Sequence, residues 1–324
     1  MSKAAKAWLI AAAVLTALGL LLFAGVMTAC GWDFTRLGTG SYTTTTYAVT
    51  GEFAHIAIRV NTAQVEFLPA ADGNCRVVCF EPEKVQHTAA VENDTLVIDT
   101  VDTRKWYEYI SVSFGSPKMT VYLPEAAYAS LQIETDTGNI RIPADFSFGS
   151  LKIHGDTADV DCLAAAANSI EIHLSTGHIL VDNTAGGWMD LATTTGNIHL
   201  NAVAAPSTVH IQTDTGTVKC AGLFCAELAA ESDTGSITLQ GVVASDSISV
   251  KSDTGNVRFE DSDAFRLSVK TGTGNVTGTL LSEKLFITET GTGTVSVPKT
   301  AAGGRCEITT GTGNIKIAIT ETPS

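Results

Sequence analysis

From Leu131 onward the chain repeats one arrangement of apolar and polar positions. Aligned on a glycine that follows threonine, the copies centre on Gly138, Ala158, Gly177, Gly196, Gly216, Gly235, Gly255, Gly274, Gly293 and Gly313, always 19 or 20 residues apart. The position seven before this centre is apolar in every copy, from Leu131 and Leu151 to Cys306, and so is the position two after it, from Ile140 and Val160 to Ile315. The position five before is apolar apart from Thr288. Between them stand mostly polar residues, such as Gln132, Lys152, Glu171, Asp190 and His210. A period of two is that of a strand with one buried face.

Each unit therefore predicts strand, tight turn, strand and longer loop, and no unit has enough apolar surface to fold alone. Stacking must supply the core. The repeat predicts an all-β protein, a parallel β-solenoid (β-helix) wound as a single-stranded coil of about ten 19–20-residue turns over residues 125–319. At about 4.8 Å per coil the rod is roughly 48 Å long. Threonine precedes the centre in all ten copies, and Asp136, Asp156, Asp214, Asp233 and Asp253 precede that threonine. Asp-Thr-Gly-Asn predicts a type II turn, with the glycine at positive φ and the aspartate accepting the turn's own amides. Gly138, Gly177, Gly196, Gly216, Gly235, Gly255, Gly274, Gly293 and Gly313 are thus structural turn residues, whereas Gly241, in a longer loop, is expected to tolerate valine. Ala158 departs from the rule.

Residues 53–124 read as a first turn followed by an N-terminal β cap. Ile56 to Phe67 fits the template with Ala63 in the glycine's place, and further strands are predicted at Arg76–Phe80, Leu96–Asp99, Ile110–Phe114 and Met119–Leu123. Such an insertion would cover one open end of the rod. Residues 33–52, rich in Gly and Thr, read as a linker. The tail, 320–324, brings a charge and a proline that would blunt the other end.

Ahead of all this, Ala7 to Trp32 is an uncharged run of 26 residues, long enough at about 1.5 Å per residue to cross a ~30 Å hydrocarbon layer as one transmembrane helix. Lys3 and Lys6 lie in a cytoplasmic tip, 1–6, and Trp8 and Trp32 sit near the two interfaces, so the remainder lies outside the cell, in a single-pass arrangement in the cell membrane. A cleaved signal peptide and a lipidated Cys30 are the alternatives; both also place the remainder outside. The net charge is −14, and the two lysines are the only charges in the first 32 residues. An exterior this acidic repels phosphate backbones and anionic headgroups, which excludes nucleic acid as a partner. Seven cysteines are an odd number without zinc spacing. Cys75 and Cys79 would share a strand face ~13 Å apart, as packed thiols rather than a redox pair.

The frame Phe53-x-x-Ile56-x-Ile58, the turn Thr62 to Val65, Thr95-Leu96-Val97-Ile98, Val121-Tyr122-Leu123-Pro124 and the serial Thr-Gly-Asn-Ile turns resemble the bacterial putative adhesin domain family over about residues 50 to 319. The resemblance implies an envelope-associated β-solenoid, often held by one N-terminal helix, and supplies no catalytic residues. The expected role is a membrane-anchored, non-catalytic cell-envelope protein for surface interaction, adhesion or scaffolding. Its expected partners are the membrane, through the helix, and a cell-wall glycan or envelope protein. The alternative is a carbohydrate-active or carbohydrate-binding β-solenoid.

No nucleophile motif, phosphate loop or metal motif occurs, so no catalytic residue, cofactor or metal is expected. Two places remain as interaction candidates. His154 and His173 both stand four before their centres, on adjacent coils, and should stack about 5 Å apart with Glu134 one coil earlier. Two imidazoles and a carboxylate could hold a divalent metal. A solvated polar ladder is the plainer reading, because the same column continues through Ala192, Gln212 and Glu231. Trp106, Tyr107 and Tyr109 form the densest aromatic stretch; exposed, they could stack on sugar rings or meet a membrane surface, and buried, they would pack the cap.

Overall fold

The period-two alternation is realised as stacked parallel strands. The computed structural model describes residues 3–32, 41–106 and 115–320. Helix α1 (Lys3–Ala29) is followed by β1 (Tyr42–Ala48), β2 (His55–Thr62), β3 (Gln64–Pro69), β4 (Arg76–Pro82), β5 (Val85–Glu92), β6 (Thr95–Asp102), β7 (Lys118–Leu123), β8 (Ala127–Thr137) and β9 (Ile140–Ile142). From β8 to the coil centred on Gly274, each coil pairs in parallel with the next. Leu151 lies between Leu131 and Ile170, and Ile198 between Ile179 and Val218. The inward column Ile140, Val160, Ile179, Ile198, Val218, Ile237, Val257 and Val276 is buried throughout, so one hydrophobic core runs the length of the rod.

The corner between the two strands explains the Thr-Gly-Asn consensus, on grounds other than a type II turn. In that turn φ at the glycine is about +80°. Here it is +155° at Gly235, +156° at Gly196 and +157° at Gly216. What demands glycine is the neighbouring coil: a Cβ on Gly235 would lie 1.8 Å from the carbonyl oxygen of Gly216, and one on Gly216 1.8 Å from that of Gly196. The corner glycines form a column of backbone on backbone. Their carbonyls accept buried hydroxyls from three residues before the next glycine, as in Thr213 to Gly196 at 3.0 Å and Ser232 to Gly216 at 3.0 Å. The residue after the glycine builds a second ladder, in which its side chain accepts the amide of its counterpart one coil away. Asn197 Oδ1 takes Thr217 N–H at 2.8 Å, and Asn275 Oδ1 takes Asn314 N–H at 2.8 Å. The consensus asparagine thus ties coil to coil.

Chain order and stacking order part company at the C-terminal end. The strand Val257–Thr273 pairs with Gly304–Thr312, which pairs in turn with Lys284–Thr292. The last coil is therefore inserted between the two before it. The inserted coil carries Cys306, Ile308, Ile315 and Ile317, all buried, while the displaced coil carries Thr288 and an exposed Val295. Burial on both sides favours the more apolar coil, and the terminal place costs less for the poorer one. Cysteines at Lys270 and Thr309, which are register partners, should oxidise to a disulfide, whereas cysteines at Lys270 and Glu289, two strands apart at about 9.6 Å, should not. Stacking in chain order would reverse that outcome on a non-reducing gel. Thr320 bonds Asp261 at 2.5 Å, back along the rod; residues 321–324, whose charge and proline were expected to blunt an end, lie outside the described residues.

At the N-terminal end the first coil, β2 and β3, is flanked by β8 and β9 on one side and by β6 and β7 on the other. The cap thus adds an outer coil, closed by β5 antiparallel to β6 and by β4 antiparallel to β7. Residues 42–48 are strand β1, antiparallel to β4, where the sequence reading placed a linker. Their threonines are β-branched and favour a strand once an edge is available. Residues 33–40 and the expected strand Ile110–Phe114 lie outside the described residues.

Candidate functional site

Two outward columns meet on one face of the rod. The register pairs His154 with His173 and with Glu134, and the imidazole rings stand 5.3 Å apart, edge to face. This is the stacking expected from spacing. The carboxylate that joins them is a different one. Glu134 turns to Arg59 at 3.8 Å and accepts Gln132 Nε2 at 2.9 Å. Glu171, from the neighbouring outward column, places Oε1 3.4 Å from His154 Nε2 and 2.5 Å from Lys152 Nζ. One coil further, Asp190 Oδ2 meets His173 Nε2 at 3.0 Å and its Oδ1 meets His210 Nδ1 at 2.8 Å. Burial alone would raise the Asp190 carboxyl, but the hydrogen bonds from His210 and His173 prevail and hold it below the usual carboxylate range.

Lys152, Glu171, Asp190 and His210 all stand six before their centres and were legible as outward polar positions. What single-column reasoning missed is the diagonal contact between residues two apart on adjacent strands. Beside the histidines runs a groove of about 600 Å³, walled by Arg59, Glu134, Thr135, Asp136, Asp156 and Ser175 among others. Thr135 is buried and its hydroxyl has no partner. Its equivalents Thr193 and Thr213 donate to the corner carbonyl of the preceding coil, while Gly155 and Leu174 stand at this position in the two coils between.

A second cluster lies inside the cap. Glu81 is fully buried and His87 nearly so. Glu81 Oε2 accepts the His87 backbone N–H at 2.9 Å and lies 2.7 Å from His87 Nδ1, while Tyr47 O–H donates to Oε1 at 2.8 Å. Desolvation opposes ionisation of this carboxyl, yet the bonds from His87, Thr45 and Tyr47 hold it below its ordinary range. Burial and the Glu81 charge push the Cys79 thiol up to about 12, so it packs as a thiol, as expected. The network pins β1 and β5 to β4. No local motif announced it, because its members come from separate strands.

Of the aromatic candidates, Trp106 follows β6 in the cap and is 79% exposed; Tyr107 and Tyr109 lie outside the described residues. The corner glycines are spread along the rod, and none of them lines the groove beside the histidines.

The profile of a family described as Toastrack DUF4097 matches residues 53–222 and 206–324, in line with the resemblance read from the motifs. Among solved structures, a putative adhesin from Bacteroides fragilis NCTC 9343 is similar at 16% identity, covering 86% of this chain and 97% of its own, with a TM-score of 0.37. A putative adhesin from Parabacteroides merdae ATCC 43184 is similar at 12% identity, covering 74% and 97%, with a TM-score of 0.47. A putative lipid binding protein from Parabacteroides distasonis ATCC 8503 is similar at 14% identity, covering 87% and 98%, with a TM-score of 0.32. No curated protein matches the chain.

Proposed function

We propose that this chain, which belongs to the Toastrack DUF4097 family, is a membrane-anchored rod of a bacterial cell envelope that offers its solenoid to a surface partner and performs no chemistry of its own. The observation that carries this reading is α1. Within Ala5–Ala29 the most apolar 18 residues have a mean hydropathy of 2.6, and none of them is buried against the rest of the described residues. An apolar helix left uncovered by its own fold gains most by entering a bilayer. Lys3 and Lys6 precede it, which favours a cytoplasmic N-terminus and an external rod.

The cations of the outer faces pair with carboxylates on neighbouring coils, Lys152 with Glu171, Lys251 with Glu231 and Arg266 with Asp246, which supports interaction over catalysis. The partner is an envelope protein or a cell-wall glycan. The carbohydrate-binding form of this reading draws on Trp106 and Trp188, both exposed at the surface, since indole faces stack on sugar rings; cell-wall fragments should then change tryptophan fluorescence.

The test of the anchor is fractionation of the tagged full chain. It should sediment with membranes, resist extraction by salt or carbonate, dissolve in detergent, and retain its N-terminal residues by mass. Recovery in the medium as a species trimmed behind α1 would identify a cleaved signal sequence and reject the anchor.

A further inference from the structure

We propose that His154, Glu171 and His173 form a binding site for one divalent transition-metal ion, zinc being the type, on the outer face of the solenoid. One donor atom from each residue falls within 4.8 Å of the other two. Their spacing is imposed by backbone pairing, because His154 and His173 are register partners and Glu171 stands two residues before His173 on the same strand. Donors fixed by sheet register need little ordering to bind. The side chains are 40%, 20% and 35% exposed, so an ion can reach them from solvent.

The donor set selects the ion. Two imidazoles and one carboxylate suit zinc, copper, nickel or cobalt, whereas calcium and magnesium call for oxygen donors. Three protein ligands leave a position open for water or for a donor from outside the chain. Asp190 supplies the outer support, since its carboxylate holds His173 at 3.0 Å and is itself held by His210 at 2.8 Å; such a carboxylate orients the ring and strengthens it as a ligand. In the groove beside the site Arg59 is met by Glu134, and Asp136 and Asp156 add negative charge that favours a cation. The competitor is Lys152, whose ammonium lies 2.5 Å from Glu171 Oε1. It must swing aside on its flexible stem for the ion to take that oxygen.

The experiment is calorimetric titration of the detergent-solubilised full chain with zinc, repeated with cobalt to read the visible absorption of the bound ion. One ion per chain is expected. His154→Gln and His173→Gln should each weaken it at least tenfold, and Asp190→Asn less, as a positioning residue. Lys152→Gln should tighten binding severalfold, an effect that a merely structural role for these residues would not produce. Calcium should not compete. These side chains are partly exposed, so metal-free melting temperatures should match that of the unaltered protein and show that the variants fold. The proposal is overturned if the unaltered chain shows no saturable zinc binding. It is equally overturned if the His154→Gln, His173→Gln double variant binds as the unaltered protein does, or if binding is abolished instead by His87→Gln in the cap.

Discussion

Replacing Ile198 by aspartate is expected to destabilise the solenoid by about 4 kcal/mol or more, enough to unfold its central coils. Ile198 is fully buried, between Ile179 and Val218 in the inward column. The new carboxylate would face apolar side chains from the coils above and below, with no cation or donor in that column to satisfy it. Its choices are to remain neutral at a cost in proton affinity or to force the coil open. Ile198→Val, which removes one methyl group and adds no charge, should cost about 1 kcal/mol. Denaturant melts of the two variants settle the matter. An aspartate variant as stable as the valine variant would mean that this face of the strand does not point inward.

The second large effect concerns the corners. Gly235→Ala is expected to cost about 3 kcal/mol, since overpacking against backbone cannot be relieved by a side-chain rotation. The added Cβ would stand 1.8 Å from the Gly216 carbonyl oxygen, and that oxygen also accepts the Ser232 hydroxyl. Separating the coils to make room would weaken that bond and the backbone pairing on both sides. Gly241 serves as the comparison, though in a different form from the one expected from sequence. Its φ is +57° with nothing closer to an added Cβ than 3.9 Å. Valine there would be strained by conformation, while asparagine, which tolerates the left-handed region, should stay within about 0.5 kcal/mol. Equal losses in Gly235→Ala and Gly241→Asn, measured by the same melts, would reject the backbone column.

Much of this architecture could be read from residue spacing because each coil meets only its neighbours. A 19- or 20-residue repeat with apolar residues at fixed offsets leaves one economical way to bury them, and the register follows from aligning like with like. His154 and His173 were brought together by the same logic. Glu171, Asp190 and His210 were visible as outward residues, but their meeting with the histidines runs across two columns and depends on side-chain reach. The Glu81, His87 and Tyr47 network was out of reach for a different reason: the cap is not periodic, so nothing in the order of its residues says which strands adjoin.

The corner motif shows how a correct position can carry a wrong cause. A glycine after threonine signals a turn, and a turn there is. Its necessity comes from a carbonyl in the next coil, which no local conformational rule contains. The single threonine at an apolar offset, Thr288, similarly marked one coil as poorer than the rest without saying what the protein does about it.

The sequence by itself determined, for the repeats, the strand positions, the inward and outward faces and the number of coils, and ahead of them the apolar N-terminal helix, because period, polarity and length are local properties that burial converts directly into structure. Only the tertiary structure decided the order of the last three coils, the closure of the cap and the partners of the outer histidines. Those depend on which of several chemically acceptable neighbours buries the most apolar surface and satisfies the most polar atoms, a comparison that exists only once the coils are stacked.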